Sequence, residues 1–337
     1  MSSGNAPRSI SGVNIHSQLE ELKRKHRGIY ECVDSDLVEG FIGQSSEENR
    51  SRDDFGAEKE GGRGGSYIQA QSRNVQARVD GIERMLNLMR RDGGGLRRVV
   101  DLLGGDGLVR RVCSLLGFSD LEIITCDASP LMVEAAWASG IPALLQRAER
   151  MLFRSESVDA VLLAYGTHHI DPGARLGVVE EAYRVLRSGG TFVLHDFLVG
   201  SPVDRWFSEI VDRYSLTGHK YAHFTRDEIR EYLIKAGFGS VEVLEIDDPY
   251  MATGKDPKEA ELRVGEYLVD MYGLRKAQEN LGDAAAFRWA ATQAKEMFRY
   301  PAEDGAMLES VTEYVEQMNA WRCTIPRRAI IGVAEKI

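Results

Sequence analysis

Residues 99–107, Val99-Val100-Asp101-Leu102-Leu103-Gly104-Gly105-Asp106-Gly107, decide the fold of this 337-residue chain. Two β-branched residues lead into an acid, a glycine-rich turn follows, and an apolar run from Leu108 to Leu116 begins at once. That order reads as a strand, a tight turn and a helix N-terminus, the place where α/β sheets bind nucleotides. Glycine suits the turn because it lets backbone approach a ligand and accepts positive φ without penalty. Asp106 reads as the N-cap of the helix. Arg97, Arg98, Arg110 and Arg111 read as solvated charges around the strand and helix.

Outward from this turn the same alternation continues. Leu121 to Cys126 reads as a second strand ending in Asp127, followed by a helix capped by Ser129 with Pro130 in its first turn. An acid at that tip suits a ribose diol, since a carboxylate accepts from both hydroxyls. Ala148-Glu149-Arg150-Met151-Leu152-Phe153 precedes a buried strand from Val158 to Ala164, which ends Tyr165-Gly166-Thr167-His168-His169. A helix over 178–186 leads through Ser188-Gly189-Gly190 to a strand from Thr191 to Leu194, ending His195-Asp196-Phe197. Thr225-Arg226-Asp227-Glu228 is a capping box opening a helix to Ala236, and strands follow at Val241 to Ile246 and Arg328 to Glu335. Strands alternating with helices predict a parallel sheet covered on both faces.

This series resembles the class I S-adenosylmethionine-dependent methyltransferases, from about Val99 to Ile246 and again over the last strand, in their small-molecule, secondary-metabolite branch. Arg184-Val185-Leu186-Arg187-Ser188-Gly189-Gly190 is a further hallmark of that family. The resemblance implies an α/β fold with a Rossmann-like seven-stranded methyltransferase sheet. To it this chain adds N-terminal helices and a helical insertion before the last strand. The resemblance also implies S-adenosylmethionine as cofactor. Asp101, Gly104, Gly105 and Gly107 would hold its amino-acid end, Asp127 and Ala128 its ribose, and Ala148 and Glu149 its adenine, with Leu131 and Met132 packing beside it. Two positions depart from the family pattern. Leu103 stands where the first loop glycine is expected, and Arg147, which cannot accept a hydrogen bond, stands where an Asp often faces adenine.

Composition narrows the partners. A net charge of −10 and a pI near 5.4 argue against nucleic acid, whose phosphates need a concentrated basic surface. No stretch approaches the roughly 20 apolar residues of a membrane-spanning helix, and the polar N-terminus lacks a secretion signal. Cys32, Cys113, Cys126 and Cys323 have no paired spacing, which suits reduced thiols in a cytoplasmic protein.

The chain divides into four parts. Residues 1–65 read as a loose first fourteen residues, a short amphipathic helix over 15–26 and a flexible linker from Gln44 to Gly65. Residues 66–246 form the cofactor-binding core, opened by a lid helix from Tyr67 to Met89 that Asp92-Gly93-Gly94-Gly95 ends; Tyr67 is a candidate cofactor contact. Residues 247–327 are an insertion with three expected helices, near 257–272, 274–299 and 305–321, and residues 328–337 are the final strand. The insertion and the N-terminal helix are candidate lid or homo-oligomer surfaces.

Methyl transfer from a sulfonium is an in-line displacement, so the protein mainly positions the acceptor and takes its proton. His169 is the expected general base, with His195 second and Tyr165 nearby. The expected activity is C- or O-methylation of a small organic molecule in natural-product biosynthesis. Alternatives are a cyclisation or other chemistry on the same fold, or a non-catalytic binding protein. His195 and Asp196 with His168 or His169 are also a set of divalent-metal ligands better suited to Zn or Fe than to Mg. His219 and His223 stand four apart, but Thr217 to Phe224 reads as a loop, and no metal is assigned.

Overall fold

The computed structural model describes residues 14–44, 53–90, 97–302 and 305–337. The readings made for residues 1–13, for 45–52 of the linker and for the Asp92-Gly93-Gly94-Gly95 stop lie outside the described residues. The central sheet holds β1 (Arg97–Leu102), β2 (Leu121–Asp127), β3 (Ala143–Leu145), β4 (Val158–Leu163), β5 (Leu186–Asp196), β6 (Ser240–Asp247) and the last strand, β12 (Arg328–Glu335). Their order is β3-β2-β1-β4-β5-β12-β6, parallel from β3 to β5, with β12 antiparallel to both its neighbours.

Successive strand residues feed opposite faces. Val99, Ile123 and Leu162 enter one apolar core, while Val100, Ile124 and Leu163 enter the other. Both faces are covered, which explains why these strands are nearly continuous apolar runs. Strand order reverses between β1 and β4, opening a crevice at their carboxyl ends.

Helices α1 (Ile15–Lys25), α2 (Arg27–Tyr30) and α3 (Ser35–Gln44) precede the sheet, and Asn14 caps α1 by accepting from the Ser17 N–H at 3.1 Å. The expected helix from Tyr67 to Met89 is two helices, α4 (Gly64–Arg73) and α5 (Val79–Met89), joined by a 3₁₀ turn at Val75–Arg78. Asn74 causes the break: its backbone is not helical, and its side-chain amide donates to the Met251 carbonyl at 2.8 Å. Within the expected linker, residues 53–62 are ordered around a 3₁₀ turn at Glu58–Glu60. Then follow α6 (Leu108–Leu115), α7 (Pro130–Ala138), α8 (Arg175–Val185) and α9 (Pro202–Trp206). A π turn at Phe207–Val211 continues α9 into α10 (Asp212–Tyr214), and α11 (Arg226–Lys235) is capped by Thr225, which accepts from the Glu228 N–H at 3.1 Å.

The insertion is not all helical. It runs through β7 (Tyr250–Gly254), α12 (Pro257–Tyr272), α13 (Arg275–Leu281), α14 (Asp283–Met297), the short pair β8 (Tyr300–Pro301) and β9 (Met307–Leu308), β10 (Val311–Val315) and β11 (Ala320–Ile325). Gly282, at φ +78°, splits the helix expected over 274–299. The helix expected over 305–321 is instead largely a hairpin of β10 and β11, turned at Asn319 (φ +48°), and β11 pairs with β7. Val311, Thr312 and Val315 are β-branched, and strand pairing against β7 overrides the weak helical spacing there.

Three smaller expectations also change. Arg97 is buried, donating to the Asp159 carbonyl at 2.6 Å, so it is no solvated charge. Gly107, not Asp106, is the N-cap of α6. All four cysteines are buried and free. No helix among the described residues is long and apolar enough to cross a membrane.

Helix α12 lies against α14 at Gly265, where any Cβ would collide with the Phe287 carbonyl oxygen. Gly265→Ala is therefore expected to lower stability by about 1–3 kcal/mol through overpacking. Gly177→Ala, in α8 with open space around it, should be neutral or gain about 0.5–1 kcal/mol. Urea unfolding of both variants against the parent checks the contrast.

Candidate functional site

The glycine turn sits at the mouth of the crevice. A Cβ on Gly104 would lie 2.5 Å from Asp101 Oδ2, so only glycine lets the loop fold back over that carboxylate. Gly105 and Gly107 take positive φ, at 58° and 85°, and so does Leu103, at 54°. The Leu103 backbone thus adopts the left-handed conformation that favours glycine, at a cost of roughly 1–2 kcal/mol. Its side chain leans towards Gly166 at the end of β4.

Two carboxylates line the turn. Asp101 is buried with Oδ2 lacking a hydrogen-bond partner, and burial, then the charge of Asp127, pushes its pKa well up. Asp127 accepts from the Gly105 N–H at 2.9 Å and the Ser129 N–H at 2.8 Å. Burial raises its pKa to about 6 against the pull of those two donors. Ala128 beside it is exposed. Ala148 and Met132 are buried, whereas Glu149 is exposed to solvent.

The N-terminal segment roofs this end of the crevice. Ser129 Oγ donates to Asp53 at 2.8 Å, and the Tyr67 ring lies over Gly105, where a Cβ would come within 3.3 Å of it. Phe55 meets Tyr67 edge to face at 5.3 Å. Arg78, only 1 % exposed, reaches the Tyr67 hydroxyl at 3.5 Å and lies 4.3 Å over the Tyr165 ring, while its Nε has no hydrogen-bond partner. A buried carboxylate with an unpartnered oxygen beside a Cβ-free loop, and a buried guanidinium with an unpartnered Nε reaching the ring that roofs it, fit the zwitterionic amino-acid end of S-adenosylmethionine.

Strands β4 and β5 deliver the remaining groups to two different faces. His195 and Asp196 are consecutive in a strand, so their side chains point apart. His195 is fully buried, its Nδ1 accepting from the Tyr165 N–H at 3.4 Å and its Nε2 lying 3.2 Å from Asp248 Oδ2. Both ring nitrogens are committed, which removes His195 as a proton acceptor and from the metal-ligand set weighed from the sequence. Tyr165, at φ +63°, donates its hydroxyl to Asp248 Oδ1 at 3.0 Å. Burial raises its pKa well above the usual value.

On the other face Asp196 meets His168. His168 Nδ1 is 3.0 Å from both carboxylate oxygens, and Asp196 accepts the His168 backbone N–H at 2.8 Å and that of Phe197 at 2.7 Å. Although burial opposes it, the charge and hydrogen bonding of His168 hold the Asp196 pKa down to about 2. His169 adjoins His168, with ring centroids 4.6 Å apart, and its side chain keeps 16 % exposure. Burial and then His168 lower its pKa well below the ordinary value.

Sequence reading left His219 and His223 in a loop, and a loop they occupy, yet it carries both to His168. Their rings lie 5.0 and 4.9 Å from it. The His219 N–H donates to Asp212 at 2.7 Å and its ring stacks on Phe207 at 4.1 Å; His223 Nδ1 is 2.6 Å from Asp204. Nothing local in the sequence points to Arg78, Asp248 or Arg327. Asp248 and Arg327 bracket the insertion: Arg327 donates to Asp248 Oδ2 at 2.5 Å and to its carbonyl at 2.8 Å, and Asp248 N–H donates to the Arg327 carbonyl at 2.7 Å.

Comparison with known proteins bears on residues 100–194, which match the family model described as a methyltransferase domain. An uncharacterized methyltransferase of Mycobacterium tuberculosis (strain H37Rv) is 37% identical over 97 residues, covering 28% of this chain and 37% of its own length. The chain thus spans little more than a third of the curated relative it matches. Among solved structures, a putative methyltransferase from Haloferax volcanii, in complex with its Trm112 activator, has 18% identity and a TM-score of 0.48, covering 85% of this chain and 99% of its own. A putative methyltransferase from Bacillus halodurans has 18% identity and a TM-score of 0.46, covering 76% and 98%.

Removing one partner of a buried ion pair strands the other charge, at a cost of about 3–5 kcal/mol. Asp248→Ala is expected to lose that much, because Arg327 is then buried without its carboxylate. Denaturant unfolding reads the loss; a change below about 1 kcal/mol would show that the pair does not hold the neck of the insertion.

Proposed function

We propose, for a chain that belongs through residues 100–194 to the methyltransferase domain family of the class I S-adenosylmethionine-dependent superfamily, that it methylates a small organic molecule at carbon or oxygen. The observation that carries this reading is the turn after β1, where Asp101 keeps an unpartnered buried oxygen beside Gly104, and Arg78, with an unpartnered buried Nε, reaches the hydroxyl of the Tyr67 that lies over Gly105. Asp101 would take the ammonium of the cofactor, Arg78 its carboxylate, and Asp127 its ribose hydroxyls. Bound there, S-adenosylmethionine supplies a methyl group on a sulfonium, already electrophilic. The protein's own task is then to exclude water and align the acceptor. Tyr67 and Phe55 close one side, and the insertion, fastened by Asp248 and Arg327, closes another. The acceptor meets the imidazole cluster through His169, its partly exposed member. Organic acceptors of secondary metabolism are the substrate class of this reading.

Calorimetric titration with S-adenosylhomocysteine tests the cofactor site. Asp127→Asn should weaken binding by about 2 kcal/mol, the scale of lost charge-assisted hydrogen bonds. The Asp127 carboxylate, with its pKa raised to about 6, accepts from both hydroxyls only when deprotonated, so affinity should fall as pH drops through 6. The Asn variant should lose that part of the profile. Equal affinity for both proteins at pH 7.5 would remove Asp127 from the ribose site.

His169→Ala should lower methyl transfer about 10²- to 10⁴-fold while S-adenosylhomocysteine binds as before. Transfer of labelled methyl to an acceptor panel measures it, and undiminished turnover would move acceptor activation elsewhere.

A further inference from the structure

Four imidazoles crowd the ends of β4 and β5, a density that apolar packing does not require. His219 Nε2 and His223 Nε2 are buried with no hydrogen-bond partner, and such orphaned atoms are rare in a settled core. One ligand atom each from His168, His169 and His219 lie within 4.8 Å of one another, as do those of His168, Asp196 and His223. The second set is the weaker one, because Asp196 already accepts two backbone N–H groups and faces His168 Nδ1 with both oxygens. With the proton on Nδ1, facing the carboxylate, Nε2 would be the ligand atom of His168. A carboxylate behind an imidazole is the usual outer support of a histidine metal ligand. His169 Nδ1 lies 3.8 Å from Asp54 Oδ2, beyond hydrogen-bond distance, and that oxygen accepts from the Tyr221 hydroxyl.

We propose that His168, His169 and His219 bind one divalent first-row transition metal ion, of the zinc or ferrous type, whose open positions take an oxygen of the methyl acceptor. Neutral imidazole donors suit such ions, whereas magnesium and calcium demand oxygen ligands. Three protein ligands rather than four leave room for substrate. The site opens at His169, the side on which the acceptor is expected, and His223 stands beside it with Nε2 free. This inference deepens the methyltransferase reading and rests on it for the acceptor. With His169 ligated, the ion would lower the pKa of the acceptor oxygen, whose proton passes to solvent water at the exposed His169 edge; the set keeps His168 and His169 from the one weighed from the sequence, takes in His219 and leaves out His195 and Asp196.

The test uses the full chain, stripped with a chelator and titrated with Co²⁺ under visible spectroscopy, with metal analysis of the untreated protein. The expected result is one Co²⁺ per chain with the d–d bands of nitrogen ligation. His169→Ala, at the exposed edge and so least able to disturb folding, should weaken Co²⁺ binding at least tenfold. His219→Ala should do so more strongly, and Asp196→Asn about 10- to 100-fold as an outer support. His16→Ala, in α1, should bind like the parent. Absence of Co²⁺ binding by the parent, or parent-like affinity in both His169→Ala and His219→Ala, overturns the site. S-adenosylhomocysteine titration of the same samples separates the two readings. Lost cofactor binding with intact Co²⁺ binding would sink the methyltransferase reading and leave the metal site standing; the converse would do the opposite.

Discussion

One buried ion pair ties the parts of this protein together. Asp248 leaves β6 and Arg327 enters β12, so their pairing closes the neck of the whole insertion with a side-chain contact and two backbone contacts. The same carboxylate accepts from Tyr165 and faces His195, at the ends of β4 and β5. A charge taken out of water is tolerable only when its hydrogen bonds are satisfied, and here nearly every donor within reach is recruited. The insertion therefore cannot shift without disturbing the strand ends beneath it, which couples the outer wall of the crevice to its floor.

Around that fixed neck the crevice divides by chemistry. At the β1 end lie carboxylates and a guanidinium with unmatched atoms; at the β4 and β5 ends lie imidazoles around an oriented carboxylate. Backbone strain marks the boundary, for Leu103 and Tyr165 both hold positive φ where β1 and β4 face each other. Unfavourable backbone persists only where the surroundings over-determine it, and such places gather at functional sites. The π turn at Phe207–Val211 belongs to the same pattern, since it presents Phe207 to the His219 ring.

Much of the fold was legible because its signals are local. Val99 to Gly107, the Asp127 strand tip and the capping box at Thr225 each carry their own start and stop chemistry, and a parallel sheet buried on both faces needs long apolar strands. Element type was misread where tertiary contacts outvoted propensity. Asn74 broke one helix by reaching for the Met251 carbonyl, and β10 and β11 formed a hairpin because β7 offered an edge to pair with.

The chain by itself determined the sheet, its order of motifs and the glycine turn with Asp101 and Asp127, since spacing along the backbone fixes the turn and helix that come after each strand. Only the tertiary structure decided which side chains meet. Alternation along β5 sent His195 to Asp248 and Asp196 to His168, and chain crossing brought His219 and His223 from a loop fifty residues away. It likewise brought Arg78 over Tyr165 and Arg327 to Asp248. Contacts between residues far apart in sequence leave no periodicity to read, because they depend on where the whole chain has already gone.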